Sequence, residues 1–356
     1  MLAWVDREDR ALAAEYETFV EGRGSFFQSL AGGEVKENWR AQALLSRGED
    51  GGVRAAALVL SCPLPLVGGS LLYCPRGPVG DWSDRSALGD LTEGFARLAE
   101  RERACLLKLD PLVAPGGPEA ALLQSAGFRH RPGEGDYRTL QPRFGYLLPL
   151  ADRGEEELLA GFSQKCRYNL RRAIKKGVEC WTGGAEELDA FYPLLEETGR
   201  RDGFVIRPRA YLERLLRVFG PARCRLFLCR WQGRPVSGAL ALRYGQTATY
   251  LYGASSGWGR EAMPNYLMQW EMIRWALAGG CTVYDFGAVP HFLEPGHPAY
   301  GIYRFKKGFG GRVAEWAGEF DWVYRPVSAA LMWGGQRGLQ LAQAALRAGR
   351  ERRGRE

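Results

Sequence analysis

Apolar positions along this chain recur in two rhythms, and their alternation predicts its elements. Spacings of three and four residues over 7–21, 86–103 and 118–126 predict helices, the last stopping at Gly127, a residue suited to end a helix. Short apolar runs over 53–60, 71–74, 105–109 and 145–149 predict strands, with a Pro/Gly-rich turn over 62–69 and a strand-turn segment over 26–39. Beyond residue 150 the plan repeats. A basic helix over 155–176 stops at Gly177, and helices follow over 185–202 and 208–219. Strands are expected over 224–231, 236–244 and 248–252, then a helix over 264–278 with Pro near its first turn, then a buried strand over 283–286 ending at Gly287.

Each half therefore carries a strand pair, a Gly-containing loop, an amphipathic helix and a short apolar strand ending in an aspartate, Asp110 or Asp285. The pattern reads as a duplication of an α/β (α+β) unit, a sheet flanked by helices. The tail over 325–356 reads as a helix with Leu331, Met332, Leu339, Leu341 and Leu346 as apolar positions. It ends in Arg347, Arg350, Arg352, Arg353 and Arg355, which suits a solvated end or contact with a membrane surface or nucleic acid.

Composition narrows the class. With 356 residues, 46% hydrophobic and 25% charged, the chain is long enough for two domains with a sizeable core. Its net charge of +7 favours an anionic partner, such as nucleic acid, a phosphorylated metabolite or an acidic membrane surface; an Arg-rich composition without such a partner gives the same balance. Eight cysteines without a C-x-x-C pair, most in apolar runs, read as small hydrophobes, and with His130, His291 and His297 as the only histidines no zinc spacing emerges. No secretory h-region and no apolar stretch of membrane-spanning length is present, so a cytoplasmic location is expected.

Four segments carry candidate chemistry. The run from Lys165 to Lys176 places Lys165, Arg167, Arg171, Arg172 and Lys175 on a helix at spacings that crowd like charges, a cost that polyphosphate or RNA would relieve. A solvated helix face fits the same run. Tyr303-Arg304-Phe305-Lys306-Lys307-Gly308-Phe309-Gly310 sets Lys306 and Lys307 between aromatics and ahead of glycines that allow close approach to phosphate or a terminal ribose; a strand end with surface lysines fits as well. Arg207 precedes a proline that opens a helix, a simple phosphate site. Arg76 sits in Tyr73-Cys74-Pro75-Arg76-Gly77-Pro78, a rigid corner that reads first as a structural turn. No P-loop, G-x-S-x-G elbow or acetyl-CoA pyrophosphate loop is found.

Together these segments resemble the FemABX family, the non-ribosomal peptidoglycan bridge-forming aminoacyltransferases. The resemblance runs through Phe27-Gln28-Ser29, Val35-Lys36-Glu37-Asn38-Trp39, Arg76-Gly77-Pro78-Val79, Leu109-Asp110-Pro111 and Asn169-Leu170-Arg171-Arg172-Ala173. It continues in Tyr252-Gly253-Ala254-Ser255, Tyr284-Asp285-Phe286-Gly287 and Phe305-Lys306-Lys307-Gly308. It implies two tandem GNAT-like domains, each a mixed twisted sheet flanked by helices. One would span 1–145 plus 317–356 and the other 146–316, without the coiled-coil arm of some members, as in compact FemX-type proteins. It implies transfer of an amino acid from aminoacyl-tRNA to the stem peptide of UDP-MurNAc-pentapeptide or lipid II. A monomer without a cofactor is expected, and the basic tail leaves peripheral contact with a membrane surface as an option.

By the same resemblance Lys36, Arg207, Tyr211 and Tyr252, with Arg76, would hold the muramyl peptide and its diphosphate. Lys306 would meet the aminoacyl end of the tRNA. Apart from the resemblance, the charge of Lys307 and of the 165–175 cations suits contacts to the tRNA backbone. An aminoacyl ester is already activated, so the chemistry requires only a deprotonated amine and a stabilised oxyanion. Either a carboxylate or the substrate's own groups take the proton; Asp110 is the best protein candidate for that base, and a structural strand-end aspartate fits it as well. Lys306 is the candidate partner of the oxyanion or of the leaving 3′-oxygen. A GNAT-like acyltransferase using acyl-CoA and a non-catalytic protein that binds RNA or a cell-wall precursor are the competing readings.

Overall fold

The computed structural model describes residues 1–80, 82, 84–133, 139–290, 294–297 and 299–335. The first sheet contains β1 (Leu2–Val5), β2 (Arg40–Arg47), β3 (Val53–Leu64), β4 (Gly69–Cys74), β5 (Val79–Gly80), β6 (Ala104–Leu109) and β7 (Arg129–Arg131). The second contains β8 (Phe144–Pro149), β9 (Glu179–Gly183), β10 (Cys224–Trp231), β11 (Arg234–Tyr244), β12 (Thr247–Ser255), β13 (Val283–Ala288) and β14 (Arg312–Glu315); β15 (Glu319–Val323) returns to the first sheet. The strand orders are β1-β2-β3-β4-β6-β15-β7, with β5 on β3, and β14-β8-β13-β12-β11-β10-β9.

The two sheets share one connectivity. In each, an antiparallel meander (β2-β3-β4 or β10-β11-β12) is followed by a helix and then by a strand parallel to the last of the three, β6 on β4 and β13 on β12. The crossover helices are α3 (Arg85–Arg101) and α9 (Pro264–Ala278), counting α1 (Arg10–Arg23) and α2 (Leu30–Glu34) before them and α4 (Pro118–Ser125), α5 (Glu155–Gly161), α6 (Gln164–Lys175), α7 (Leu188–Asp202) and α8 (Arg209–Arg223) between; α10 (Tyr300–Lys307) follows. α3 forms because Asp84 accepts hydrogen bonds from the amides of Ser86 and Ala87, and Leu88, Leu91, Phe95 and Leu98 share one buried face. Each of those side chains contributes roughly 1.5–3 kcal/mol by burial.

One core cluster crosses from half to half. Tyr16, Phe19, Val20 and Phe26 pack with Leu215, Leu216, Phe219 and Tyr244, with the Phe26 and Phe219 rings edge to face at 5.9 Å. Polar ties rim this seam: Tyr244 donates to Glu17 at 3.0 Å, and Arg223 pairs with Glu21 at 2.9 Å.

Four expectations need correction. Residues 26–39 hold a 3₁₀ turn and α2, not a strand, because Ser25 and Ser29 accept from the amides of Phe27 and Gly32 and so start helical turns. The basic helix is broken in two at Phe162 and Ser163. Ser163 caps α6 by accepting from the Cys166 amide, and its own amide donates to the carbonyl of Gly308. Tyr303 to Lys307 is the end of a helix, not a strand end. Finally, the apolar runs do not mark β1, β2, β5, β7, β9, β14 or β15. The chain is helical over 326–335; the remainder of the tail, with its arginines, and His291 lie outside the described residues.

Candidate active site between the two sheets

A cavity of about 980 Å³ lies between the halves. Among the described residues five cations line it, Lys36, Arg76, Arg201, Arg207 and Lys306, against two carboxylates, Asp202 and Asp285, so it favours an anionic ligand.

Lys36, Arg207, Tyr211 and Tyr252 meet at one end. The Lys36 ammonium lies 4.8 Å from the Trp39 ring and 5.4 Å from the Tyr73 ring. Burial, with the nearby Arg207 charge, lowers its pKa. Arg207 stacks over Tyr211 at 5.2 Å, and Tyr211 meets Tyr252 edge to face at 6.3 Å. Neither cation has an ion-pair partner among the described residues, so an arriving anion removes their mutual repulsion. A bulge aims Tyr252: Leu240 faces Tyr252 but Ala241 faces Tyr250, which leaves Leu251 unpaired and kinks β12 beside the cavity.

Lys306 occupies a different part of the wall. It is only 5% exposed, and its Nζ donates to the carbonyl of Ala288 at 2.6 Å. Burial pulls its pKa down to about 8, although Asp285 partly restores it. The surface-lysine reading of this segment is thereby overturned for Lys306; Lys307 is exposed, with its ammonium 5.7 Å from the Tyr303 ring. Phe305 lines the cavity and packs on Tyr266 and Phe309.

The expected base, Asp110, lies behind the lining. One oxygen accepts from the Tyr73 hydroxyl at 2.6 Å and the other from the Arg76 amide at 2.5 Å. Burial pushes its pKa up to about 6. Those bonds hold Arg76 in a left-handed turn (φ 53°), and its guanidinium donates to the carbonyl of Pro142 at 2.7 Å. Arg76 lines the cavity, whereas Asp110 braces the wall.

The α6 cations divide. Arg167 donates to the carbonyls of Ala160 and Phe162, and Arg172 to that of Glu261, so both secure the fold. Lys165, Arg171 and Lys175 are exposed and none of them lines the cavity.

Sequence reasoning passed over Asp285, although its place at the end of a short apolar strand, matching Asp110, was visible. It lines the cavity, and Gly287 donates to its Oδ1 at 2.7 Å. Among the described residues no cluster of three His, Cys, Asp or Glu side chains is placed to hold a metal ion, and no helix is long and apolar enough to cross a membrane.

Two mixed sheets, each with a parallel pair beside a crossover helix, with the ligand-sized cleft between them, define a tandem GNAT-type acyltransferase. A model of the acetyltransferase (GNAT) domain matches residues 164–307, and one of the FemAB family matches residues 12–116. The lipid II:glycine glycyltransferase of Staphylococcus aureus (strain USA300) is 30% identical over 386 residues, covering 87% of this chain and 91% of that protein. A crystal structure of FemX superposes with a TM-score of 0.84 at 27% identity, over 93% of this chain and 99% of that one. A tandem GNAT protein from the clavulanic acid biosynthesis pathway shares the fold (TM-score 0.56, 12% identity, 91% and 98% coverage). The chain belongs to the FemABX family of bridge-forming transferases.

Proposed function

We propose that this enzyme transfers an aminoacyl group from aminoacyl-tRNA to an amine on the stem peptide of a peptidoglycan precursor, UDP-MurNAc-pentapeptide or lipid II. The observation that carries the reading is one cavity lined from both halves, with Lys36 and Arg207, which lack an ion-pair partner among the described residues, and the buried Lys306 in its wall. The cation pair suits a diphosphate; Tyr211, Tyr252 and Trp39 supply flat apolar walls for the sugar and peptide. Lys306 meets the ester, where a fixed ammonium in a desolvated wall stabilises the developing oxyanion. We assign the two lobes to residues 1–145 plus 317–356 and to residues 146–316.

An acyl-CoA donor is the weaker reading. α9 begins with Pro264, which lacks the amide hydrogen that a pyrophosphate at that helix start would use. Transfer and binding measured in parallel test the assignment: Lys306→Ala should lose at least a hundredfold in transfer rate while UDP-MurNAc-pentapeptide affinity changes less than threefold. Equal losses would place Lys306 in acceptor binding instead.

A further inference from the structure

Resting on that transferase reading, we propose that Asp285 is the group that takes the proton from the attacking amine. β12 and β13 are paired only from Thr247 with Val283 to Thr249 with Asp285. Beyond that point β12 runs on to Ser255 and β13 to Ala288 without pairing to each other, and the cavity opens in the gap. Asp285 sits at the fork. The first sheet has no such opening, because β4 and β6 pair through Cys74 with Leu109, and Asp110 then seals the end through Tyr73 and Arg76.

The carboxylate is oriented by the main chain. Gly287, at φ +75°, turns its amide back to Oδ1. A side chain there would be strained, and its Cβ would lie 3.3 Å from the Tyr250 carbonyl oxygen. Oδ2 has no hydrogen-bond partner among the described residues. Among the described residues, the charged and titratable groups that act on or are coupled to Asp285 are Lys306 from α10, Arg76 from the turn between β4 and β5, and Tyr284 beside it on β13. Burial makes Asp285 a stronger base than an ordinary carboxylate, and the two cations moderate that rise. Asp202, the other carboxylate among the described residues of the lining, is held by Arg201 at 2.9 Å.

In the step, the amine nitrogen attacks the ester carbon and forms the C–N bond. The proton leaves that nitrogen for Asp285 Oδ2 and is then delivered to the ribose oxygen as the ester C–O bond breaks, so no proton is gained or lost overall. Lys306 stabilises the oxyanion between the two events.

The test uses the full chain, with UDP-MurNAc-pentapeptide or lipid II as acceptor and the aminoacyl-tRNA that the wild type accepts. Asp285→Asn keeps an acceptor for the Gly287 amide and removes the base. Its single-turnover rate should fall by about 10²–10³, with acceptor affinity within threefold. Its rate should keep climbing with pH where the wild-type rate levels off, as hydroxide replaces the missing base. A rate within threefold of wild type, or an equal loss of binding and rate with an unchanged pH profile, overturns the proposal. If Asp285→Asn does not melt cooperatively, Asp285→Glu must retain more transfer than Asp285→Ala of matched Tm; equality overturns it. A wild type without turnover on any acceptor sinks the transferase reading and this proposal together. A wild type that turns over beside an equally active Asp285→Asn sinks the proposal alone.

Discussion

The Lys306 ammonium donates to the carbonyl of Ala288 across 2.6 Å, which ties the last turn of α10 to the end of β13. A buried, partly desolvated cation is thus fixed on the cavity wall at the cost of stability.

That cost sets the first prediction. The folded-state pKa of Lys306, about 8, lies below its ordinary 10.5. Between those values the unfolded chain holds a proton that the folded chain has lost, so stability rises with pH through this window. Lys306→Met removes a penalty on the order of 1–3 kcal/mol at neutral pH, offset by about 1 kcal/mol for the lost bond to Ala288. Thermal melts should place the variant roughly 2–5 °C above wild type at pH 7, with the gap narrowing by pH 10. A variant less stable than wild type at pH 7 contradicts the account.

Lys36 and Arg207 should act on binding. Lys36→Met and Arg207→Met each remove a charged partner worth about 1.5–3 kcal/mol, a loss of roughly 10–100-fold in UDP-MurNAc-pentapeptide affinity by calorimetry. The loss should shrink in high salt. Unchanged affinity in both variants would remove the diphosphate assignment.

Asp110 should behave as a brace. Asp110→Asn replaces one acceptor oxygen with a donor, so either the Tyr73 or the Arg76 bond is lost, and KM and kcat should worsen together by about 10–100-fold. Because burial raises the Asp110 pKa to about 6, the folded chain takes up its proton before the unfolded chain does. The wild type therefore loses stability as pH rises from about 4 to 6, by on the order of 2–3 kcal/mol, and Asp110→Asn should lack that component. A variant that loses kcat alone, with KM and stability untouched, would restore Asp110 as the base.

The exposed cations of α6 and α10 should act on RNA alone. Neutralising Lys165, Arg171, Lys175 and Lys307 together should weaken tRNA binding and flatten its salt dependence by up to about four phosphate contacts, leaving UDP-MurNAc-pentapeptide affinity intact. Arg167→Ala and Arg172→Ala should instead lower Tm, since both side chains hold backbone carbonyls. Filter binding across a salt series checks the first claim, and an unchanged slope refutes it.

The legible part of this fold was its apolar rhythm. The helix over Pro264–Ala278 and the strand over Cys224–Trp231 stand where the hydrophobic runs place them, because buried elements must be apolar along a face. Short edge strands such as Arg129–Arg131 and Arg312–Glu315 are too polar to show that rhythm and exist only through their partners. The same limit applied to the site. Motif order singled out Lys36, Arg207, Tyr211 and Tyr252, which the fold does bring together. It could not tell a stapled aspartate from an open one, since that depends on where a parallel pair stops: at Cys74 with Leu109 in one sheet and at Thr249 with Asp285 in the other. Nor does the sequence reveal that Lys306 is buried, because the sheet contact that buries it comes from Ala288, eighteen residues away.

The most direct measurement offers pooled aminoacyl-tRNAs with UDP-MurNAc-pentapeptide and, separately, with lipid II, and reads the product by mass. The account predicts that one acceptor gains the mass of an aminoacyl residue, in a reaction that needs the tRNA and is lost in Lys306→Ala. No mass gain on either acceptor, or a gain from acyl-CoA without tRNA, would contradict it.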